Sequence, residues 1–319
     1  MTLLEQIVRL IRDTASSLPE DVLAALKRAA RREEKGSSAA VVLKTIVENC
    51  ALAKKQGLPL CQDTGTLTFF VDASLRRKVT PALLQRAVAE ATKRGYLRKN
   101  CIDSISGKSY DDNCALGAPV VHYTQPPADL LPPSSFLPLS KPPHFLLPPS
   151  SFLPLSKPPK PSITLLLKGG GSENMSRQYS LPDATLKAGR DLQGVRACIL
   201  DAVQKIQGYG CAPGILGVCI GGDRATGYEV AKAQLLRPLT GDATILPREL
   251  KNLESTLLRE AKQLGIGPMG LGGKTTLLGV KLAARPRVPA SFFVTVAYMC
   301  WACRRRTLRM ENGKWKMEN

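Results

Sequence analysis

The sequence predicts an α/β fold, a layered domain with a mixed sheet flanked by helices. Segments with helical apolar spacing alternate along the chain with short apolar runs rich in β-branched and aromatic residues. These runs are apolar nearly throughout, which is typical of strands covered on both faces. At 319 residues, the chain is long enough to bury a substantial core.

The elements follow one another in a regular order. Helices are predicted near residues 3–12, 20–33, 39–55, 81–94, 184–207, 228–237 and 247–264. Strands are predicted for LTFFVD (67–72), ITLLLK (163–168), ILGVCI (215–220), TLLGVKL (276–282) and FFVTVAYMC (292–300). Near the end, Asn312 and Gly313 separate two short alternating runs, which predicts a hairpin with a type I′ turn.

One segment breaks this pattern. The string LLPPSSFLPLSKPP occurs at 130–143 and again, unchanged, at 146–159. Because proline this dense excludes a helix or a central strand, residues 124–161 are predicted to be a disordered or extended loop inserted between 1–123 and 162–319. The insertion is either a docking segment or a recent duplication without function. The identity of the two copies favours a duplication, since no side chain has been adjusted separately.

The charge of the chain suits several partners. Lys and Arg number 45 against 26 Asp and Glu, giving a net charge of +19, which would suit nucleic acid, an anionic membrane or a small polyanionic substrate. Aromatic residues are only 5%, and no basic run is interleaved with them, so we expect no nucleic-acid partner. The first helix carries Glu5 and Asp13, unlike a secretory or transit signal, and no apolar run is long enough to span a membrane. We therefore expect a cytoplasmic protein without a membrane partner.

Nine cysteines, an odd number, are more typical of thiols and metal ligands than of a disulfide framework. Cys198 and Cys219 lie in apolar patterns and are interpreted as core residues. Three others lie at predicted strand ends beside glycine, proline or other turn residues: Cys61, Cys211 and Cys300. Zinc usually takes close pairs, whereas widely separated cysteines can hold an iron–sulfur cluster, and three would leave one iron without a protein ligand. Spacing alone leaves the choice open.

Two glycine-rich stretches indicate backbone that approaches a ligand. KGGGSEN (168–174) follows a predicted strand, so its N–H groups could receive a carboxylate or phosphate. GPMGLGGKTT (267–276) is similar to a nucleotide-binding loop, but Pro268 stands where that loop begins and has no N–H to donate. We therefore do not predict a nucleotide site.

Five motifs, in this order, resemble the α catalytic region of the class I fumarate hydratase and L(+)-tartrate dehydratase family. They are PLCQDTG, KGGGSENMS, CAPGILGVCIGGDRATGYEVAK, GPMGLGGKTT and PASFFVTVAYMCWA. The resemblance implies an oxygen-sensitive 4Fe-4S cluster with Cys61, Cys211 and Cys300 as ligands on strand-end loops. It also implies an iron–sulfur hydro-lyase of the tricarboxylic acid cycle that hydrates fumarate to malate or dehydrates tartrate.

The resemblance also implies roles for individual residues. Gln62 and Asp63 would contact the substrate hydroxyl region, with Asp63 as the catalytic acid. Arg98 would bind a substrate carboxylate, and the main-chain N–H of Gly170 would bind the other end. Lys274 would place a positive charge near the anionic ligands.

The chain departs from the family in two respects. Val288 occupies the place of a family histidine, which implies the loss of an imidazole near the site. The smaller β region of the family is not recognisable here, so the resemblance implies a separate β subunit, a hetero-oligomer and a small dicarboxylate substrate. The alternative is a catalytically degenerate member that serves as a binding or assembly subunit.

Overall fold

The computed structural model describes residues 1–124 and 160–318. Its helices are α1 (Leu3–Ser16), α2 (Glu20–Arg32), α3 (Ser38–Gln56), α4 (Pro81–Lys93), α5 (Gly170–Asn174), α6 (Leu192–Ile206), α7 (Arg224–Gln234) and α8 (Arg248–Gln263). Its strands are β1 (Thr66–Asp72), β2 (Cys101–Ile102), β3 (Ser109–Tyr110), β4 (Val120–Thr124), β5 (Ser162–Lys168), β6 (Arg177–Ser180), β7 (Gly214–Gly221), β8 (Leu277–Arg285), β9 (Phe293–Met299), β10 (Arg304–Glu311) and β11 (Lys314–Glu318). The repeat predicted to be a loop lies outside the described residues.

The strands form two larger sheets and a small two-stranded one. The first larger sheet has the order β11-β10-β5-β1-β4, and the second has the order β6-β9-β7-β8. Each is mixed, because β1 runs parallel to β4 but antiparallel to β5, and β7 runs parallel to β8 but antiparallel to β9. The α/β prediction is therefore confirmed, with two mixed sheets in place of one.

The core is divided among both faces of the two sheets. In β1, alternate residues Leu67, Phe69 and Val71 pack with α1 and α4, as the twofold side-chain period of a strand requires. The opposite face contributes Phe70 to a middle cluster that also holds side chains of α2, α3, α7 and the second sheet. The far face of the second sheet packs against α6 and α8. Covering both faces in this way explains why the strands are apolar along their whole length.

Strand ends from both sheets meet at one junction. Thr66 at the start of β1 pairs with Lys168 at the end of β5. Arg304, which opens β10, pairs with Leu167 near that same end. Only residues 300–303 separate β9 in the second sheet from β10 in the first, so the chain crosses between the sheets at Cys300. This junction brings together loops that are far apart in sequence.

Several element boundaries differ from the prediction. The helix predicted over 184–207 begins only at Leu192, because the Asp191 side chain accepts the Gly194 N–H and caps it there. The helix predicted over 228–237 begins earlier, at Arg224, because Asp223 caps it with two N–H contacts. The hairpin is confirmed, with Asn312 and Gly313 both at positive φ. Among the described residues, no helix is long and apolar enough to cross a membrane.

Candidate functional site

The loops that carry the three predicted cysteines surround the junction. Cys61 lies in the loop before β1, Cys211 lies just before β7, and Cys300 directly follows β9. Ile215 pairs with Met299, so the chain near the start of β7 lies beside the end of β9. The main-chain N–H of Trp301 donates to the carbonyl oxygen of Cys211 at 3.3 Å, which joins the two loops directly.

A strained turn presents Cys211. Its φ is +54°, a left-handed conformation that is uncommon for a residue with a side chain. The turn packs over the buried ring of Tyr298, and a Cβ at Gly210 or Gly214 would lie 2.4 Å or 2.2 Å from ring atoms. On its other side, the Met269 N–H donates to the carbonyl oxygen of Ala212 at 2.9 Å. Glycine at 210 and 214 therefore lets the turn that carries Cys211 pack tightly against the ring of Tyr298.

The pKa values of Cys211 and Cys300 depend on their surroundings, including the neighbouring thiols. Burial raises the pKa of Cys211, and the neighbouring Cys300 and Cys61 raise it further. Burial also raises the pKa of Cys300, while a hydrogen bond from Ser172 and the charge of Arg304 act in the opposite direction. Effects of Cys300 and Cys61 on Cys211 require short separations, which agrees with the main-chain hydrogen bond between the loops of Cys211 and Cys300.

The donor set of the three loops consists of thiols. Across residues 1–124 and 160–318, no three histidine, cysteine, aspartate or glutamate side chains are placed to hold one metal ion. An iron–sulfur cluster consists of several atoms, so its thiolate ligands stand farther apart than the ligands of one ion. Three thiolates on separate loops can serve as the ligands of such a cluster.

Unpaired polar atoms around the thiols suit an anionic group. Arg304 is only 1% exposed, and its Nε and Nη1 have no hydrogen-bond partner among the described residues. The hydroxyl of Tyr298 is likewise buried without a partner among the described residues; burial raises its pKa well above the usual value, and Cys300 and Cys211 raise it further. Buried donors normally find an acceptor, so a thiolate-bound, negatively charged cluster fits the residues present.

Asp63 lies at the same junction, with its carboxylate held on both oxygens. Its Oδ1 accepts from the N–H of Gly65 at 2.8 Å and from Nδ2 of Asn100 at 3.0 Å. Its Oδ2 accepts one bond, from the N–H of Gly170 at 2.7 Å. Nη2 of Arg304 donates to the main-chain oxygen of Asp63 at 2.8 Å. Oδ2, with a single N–H contact, has the greater capacity left to exchange a proton or hydrogen bond with a substrate.

A buried asparagine fixes the segment that carries Arg98. Oδ1 of Asn113 accepts from the N–H groups of Asn100 and Cys101 at 2.9 and 3.1 Å. Its Nδ2 donates to the Arg98 carbonyl at 2.9 Å and to Thr92 Oγ1 at 3.1 Å. The Arg98 guanidinium is exposed and makes no ion pair with a described residue. Its backbone is therefore fixed while its charged end stays available to an anion.

The predicted substrate residues do not all lie together. A cavity of about 340 Å³ is lined by Asp63, Asn100, Cys101, Asn113 and Gly170, among others. Gln62 is exposed on the turn between Cys61 and Asp63. The Gly170 N–H contacts Asp63, so in this structure its partner is a carboxylate of the protein.

Lys274 lies elsewhere. Its side chain is exposed and lines a second cavity of about 620 Å³ together with Arg28, Arg32 and Lys262. Its N–H donates to Oε2 of Glu33 at 2.8 Å. The glycine loop 267–273 thus connects the turn that carries Cys211 with the 620 Å³ cavity, because Met269 contacts that turn and Lys274, directly after the loop, lines the cavity.

The position aligned with the family histidine is distant from the cysteines. Val288 is 64% exposed in the connection between β8 and β9. β8 has nine residues, and its far end pairs with the end of β7 that is opposite Cys211. At 3.3 Å per residue, the separation along the sheet is about 25 Å. In this chain, a histidine at 288 would not reach the three thiols.

Sequence reasoning missed four polar residues of the site: Asn100, Asn113, Lys168 and Arg304. Lys168 is fully buried, and its Nζ donates to Oε2 of Glu173 at 2.9 Å. Burial lowers the pKa of Lys168 to about 8, although Glu173 acts to raise it. The charged run Arg304–Arg305–Arg306 directly after an apolar strand and Cys300 was the available signal.

Comparison with known proteins gives one family match and several relatives. The chain matches the family described as fumarate hydratase (Fumerase) over residues 4–132 and 149–309. It is 42% identical over 308 residues to "Putative fumarate hydratase class I" of Geobacillus stearothermophilus, covering 95% of this chain and 54% of the relative. It is 30% identical over 317 residues to "Putative L(+)-tartrate dehydratase subunit alpha" of Methanocaldococcus jannaschii, covering 98% of each. It is 26% identical over 297 residues to "L(+)-tartrate dehydratase subunit alpha" of Escherichia coli K12, covering 92% of this chain and 86% of the relative.

Proposed function

Because the chain belongs to the fumarate hydratase (Fumerase) family, as its motifs predicted, we propose that it is the α catalytic part of an iron–sulfur hydro-lyase. The proposed reaction is the reversible hydration of fumarate to malate. The second candidate reaction is the dehydration of tartrate. The observation that carries this proposal is the junction itself, where three thiols, the Asp63 carboxylate and Arg98 lie on loops from both sheets.

Cys61, Cys211 and Cys300 would hold the 4Fe-4S cluster. The main-chain hydrogen bond between the loops of Cys211 and Cys300 and the unpaired donors of Arg304 and Tyr298 support this assignment. When bound, such a cluster supplies a Lewis-acidic iron that polarises a substrate hydroxyl group. Partial burial of Cys211 and Cys300 limits access of water to the thiolates.

Asp63 is proposed as the proton-transfer residue, acting through Oδ2. The three N–H donors fix the direction of its carboxylate, so less orientational freedom is lost when a substrate binds. Gly170 would contribute chiefly by holding Oδ2, and Gln62 would contact the substrate hydroxyl from the adjacent position on the turn.

Arg98 is proposed to bind a substrate carboxylate. Thr64 accepts the Arg98 N–H at 2.9 Å and donates to its carbonyl oxygen at 3.0 Å, which ties Arg98 to the residue next to Asp63. A planar guanidinium can bind a carboxylate with two hydrogen bonds. The role of Lys274 as a positive charge near anionic ligands stays a prediction, because Lys274 lines a different cavity from Asp63.

The rest of the site would come from a partner. The chain spans 54% of the length of the Geobacillus relative, whereas it spans 98% of the Methanocaldococcus relative, which is named as an alpha subunit. We propose that a separate β chain completes the site and forms a hetero-oligomer with this chain. The higher identity to the fumarate hydratase favours fumarate as the substrate.

The proposal is tested by an anaerobic hydration assay of the reconstituted chain mixed with its β chain, on fumarate and on L(+)-tartrate. Asp63→Asn should lower kcat at least 100-fold, because general acid–base catalysis contributes about 10² to 10⁴. Asp111→Asn serves as the matched control, since Asp111 is exposed and, within the described part of the chain, forms an ion pair only with Lys99, at 3.0 Å. Absence of hydration in an iron-loaded wild-type complex would instead favour a binding or assembly subunit.

A further inference from the structure

Arg304 is a buried cation without a carboxylate partner. It opens β10 directly after the loop of Cys300, and only 1% of its surface is exposed. Its neighbour Arg305 is buried to a similar degree but forms an ion pair with Asp21. Among the described residues, no such carboxylate faces Arg304.

The hydrogen bonds of Arg304 are also incomplete. Nη2 donates to the main-chain oxygen of Asp63 at 2.8 Å, while Nε and Nη1 have no acceptor. An arginine side chain stays protonated in proteins, and a buried charge without a partner costs several kcal/mol. A fold that keeps such a group requires an acceptor that the protein chain itself does not supply.

We propose that Arg304 is the counter-cation of the thiolate-bound cluster, to which it donates through Nε and Nη1. This inference rests on the cofactor of the proposed function. Two observations support it: the buried guanidinium keeps two unpaired donors, and only three residues separate Cys300 from Arg304 where the chain crosses between the sheets. Through Nη2, the same guanidinium is fixed to Asp63, so the cluster and the proton-transfer loop share one anchor.

This role has a consequence that a structural role lacks. In the apoprotein, the unpaired charge destabilises the fold, so Arg304→Gln should leave the melting temperature unchanged or raise it. In the iron-loaded protein, the same substitution removes a positive charge and two donors. It should therefore lower the melting temperature, make the reduction potential of the cluster more negative, and increase the rate of iron loss to a chelator about tenfold.

The experiment compares wild type, Arg304→Gln, Arg304→Lys and Arg309→Gln after anaerobic reconstitution with iron and sulfide. Arg309 lies on the same strand but pairs with Glu318 at the surface, so it controls for a charge lost from β10. Melting temperature, reduction potential and iron release to a chelator are measured for each. Arg304→Lys keeps the positive charge but lacks the planar set of guanidinium donors. Its reduction potential and its rate of iron release should therefore lie between those of wild type and Arg304→Gln.

The outcomes separate the two proposals. A wild-type chain that takes up no iron overturns the proposed cofactor, and this inference with it. A wild-type chain that takes up iron, together with an Arg304→Gln variant whose potential and iron release equal those of wild type, overturns this inference alone. An Arg304→Gln variant that is destabilised equally with and without iron would show a structural role and would also overturn it. If Arg304→Gln does not fold, the melting temperature, reduction potential and iron release of Arg304→Lys are compared with those of wild type instead, and the same outcomes support or overturn the inference.

Discussion

At the residue scale, the orientation of Asp63 depends on the absence of a side chain at Gly169. A Cβ at Gly169 would lie 2.8 Å from Oδ2 of Asp63, which is closer than real Cβ contacts. The φ of Gly169 is −62°, so alanine would not strain the backbone there. Gly169 is therefore required for the space it leaves beside the carboxylate rather than for its conformational freedom.

Gly169→Ala should consequently turn the Asp63 carboxylate away and lower the hydration rate at least about tenfold, since misplacement of a reacting group by 1 Å can cost 10²-fold. Gly171→Ala is the matched control, because its Cβ would meet nothing within 4 Å. The control should keep its rate within about twofold of wild type. Equal loss in both variants would show that the loop, rather than the carboxylate, is sensitive.

At this scale, candidate site residues could be predicted from the sequence where the residue type itself indicates acid–base chemistry or metal binding. Asp63, Cys61 and Cys211 stand out because they lie in turns that contain glycine and proline, and Cys300 stands out because it ends a predicted strand. Asn113 did not stand out, since a buried asparagine that organises two loops looks like any loop residue until its four hydrogen bonds are known. Arg304 was hidden for another reason, because an arginine next to an apolar strand normally lies at the surface.

At the scale of elements, a charged network joins β8 with α8 and the loop after α7. Oδ2 of Asp242 accepts from Lys281 at 2.8 Å and from Nη2 of Arg237 at 2.7 Å. Arg237 also donates to Glu254 of α8 at 3.1 Å. Burial acts to raise the pKa of Asp242, but Lys281, Thr244 and Arg237 outweigh it and hold the pKa well below its usual range.

The sign of the pH dependence follows from this lowered pKa. The Asp242 carboxylate stabilises the fold fully above the ordinary pKa of an aspartate, near 4, and its contribution is lost as the pH falls toward the lower folded value. Asp242→Asn should lower the free energy of unfolding by about 2 kcal/mol or more at pH 7 and by less at pH 3. Urea unfolding at pH 7, 5 and 3 measures this. The control is Glu48→Gln, which removes an exposed carboxylate 3.9 Å from Lys44 and should change the free energy of unfolding little at any pH. If Asp242→Asn lowered the free energy of unfolding equally at all three pH values, the result would contradict the lowered pKa of Asp242.

Helices and long strands were predictable because apolar periodicity over ten or more residues is a strong signal. Short elements were not. The strands β4 and β6 have five and four residues, and their sequences carry histidine, arginine and glutamine in place of an apolar run. Their strand conformation depends on pairing with β1 and β9, which sequence periodicity does not report.

At the scale of the whole molecule, function depends on two sheets that share one junction. The sequence predicted the cysteine loops individually, each at a strand end, but not the order of strands that brings them together. That order results from long-range pairing, such as β5 between β1 and β10. Only the family resemblance allowed the three cysteines to be grouped before the structure was known.

The central claim is that Cys61, Cys211 and Cys300 hold one iron–sulfur cluster. The most direct measurement is the iron and sulfide content per chain after anaerobic reconstitution, for each cysteine-to-serine variant. Wild type should bind about four iron atoms. Cys61→Ser, Cys211→Ser and Cys300→Ser should each lose most of this iron. Cys101→Ser, at the start of β2, and Cys114→Ser, after β3, remove partly buried thiols away from these three loops and should retain it. Full iron content in any of the first three variants, or its loss in either control, would contradict the claim.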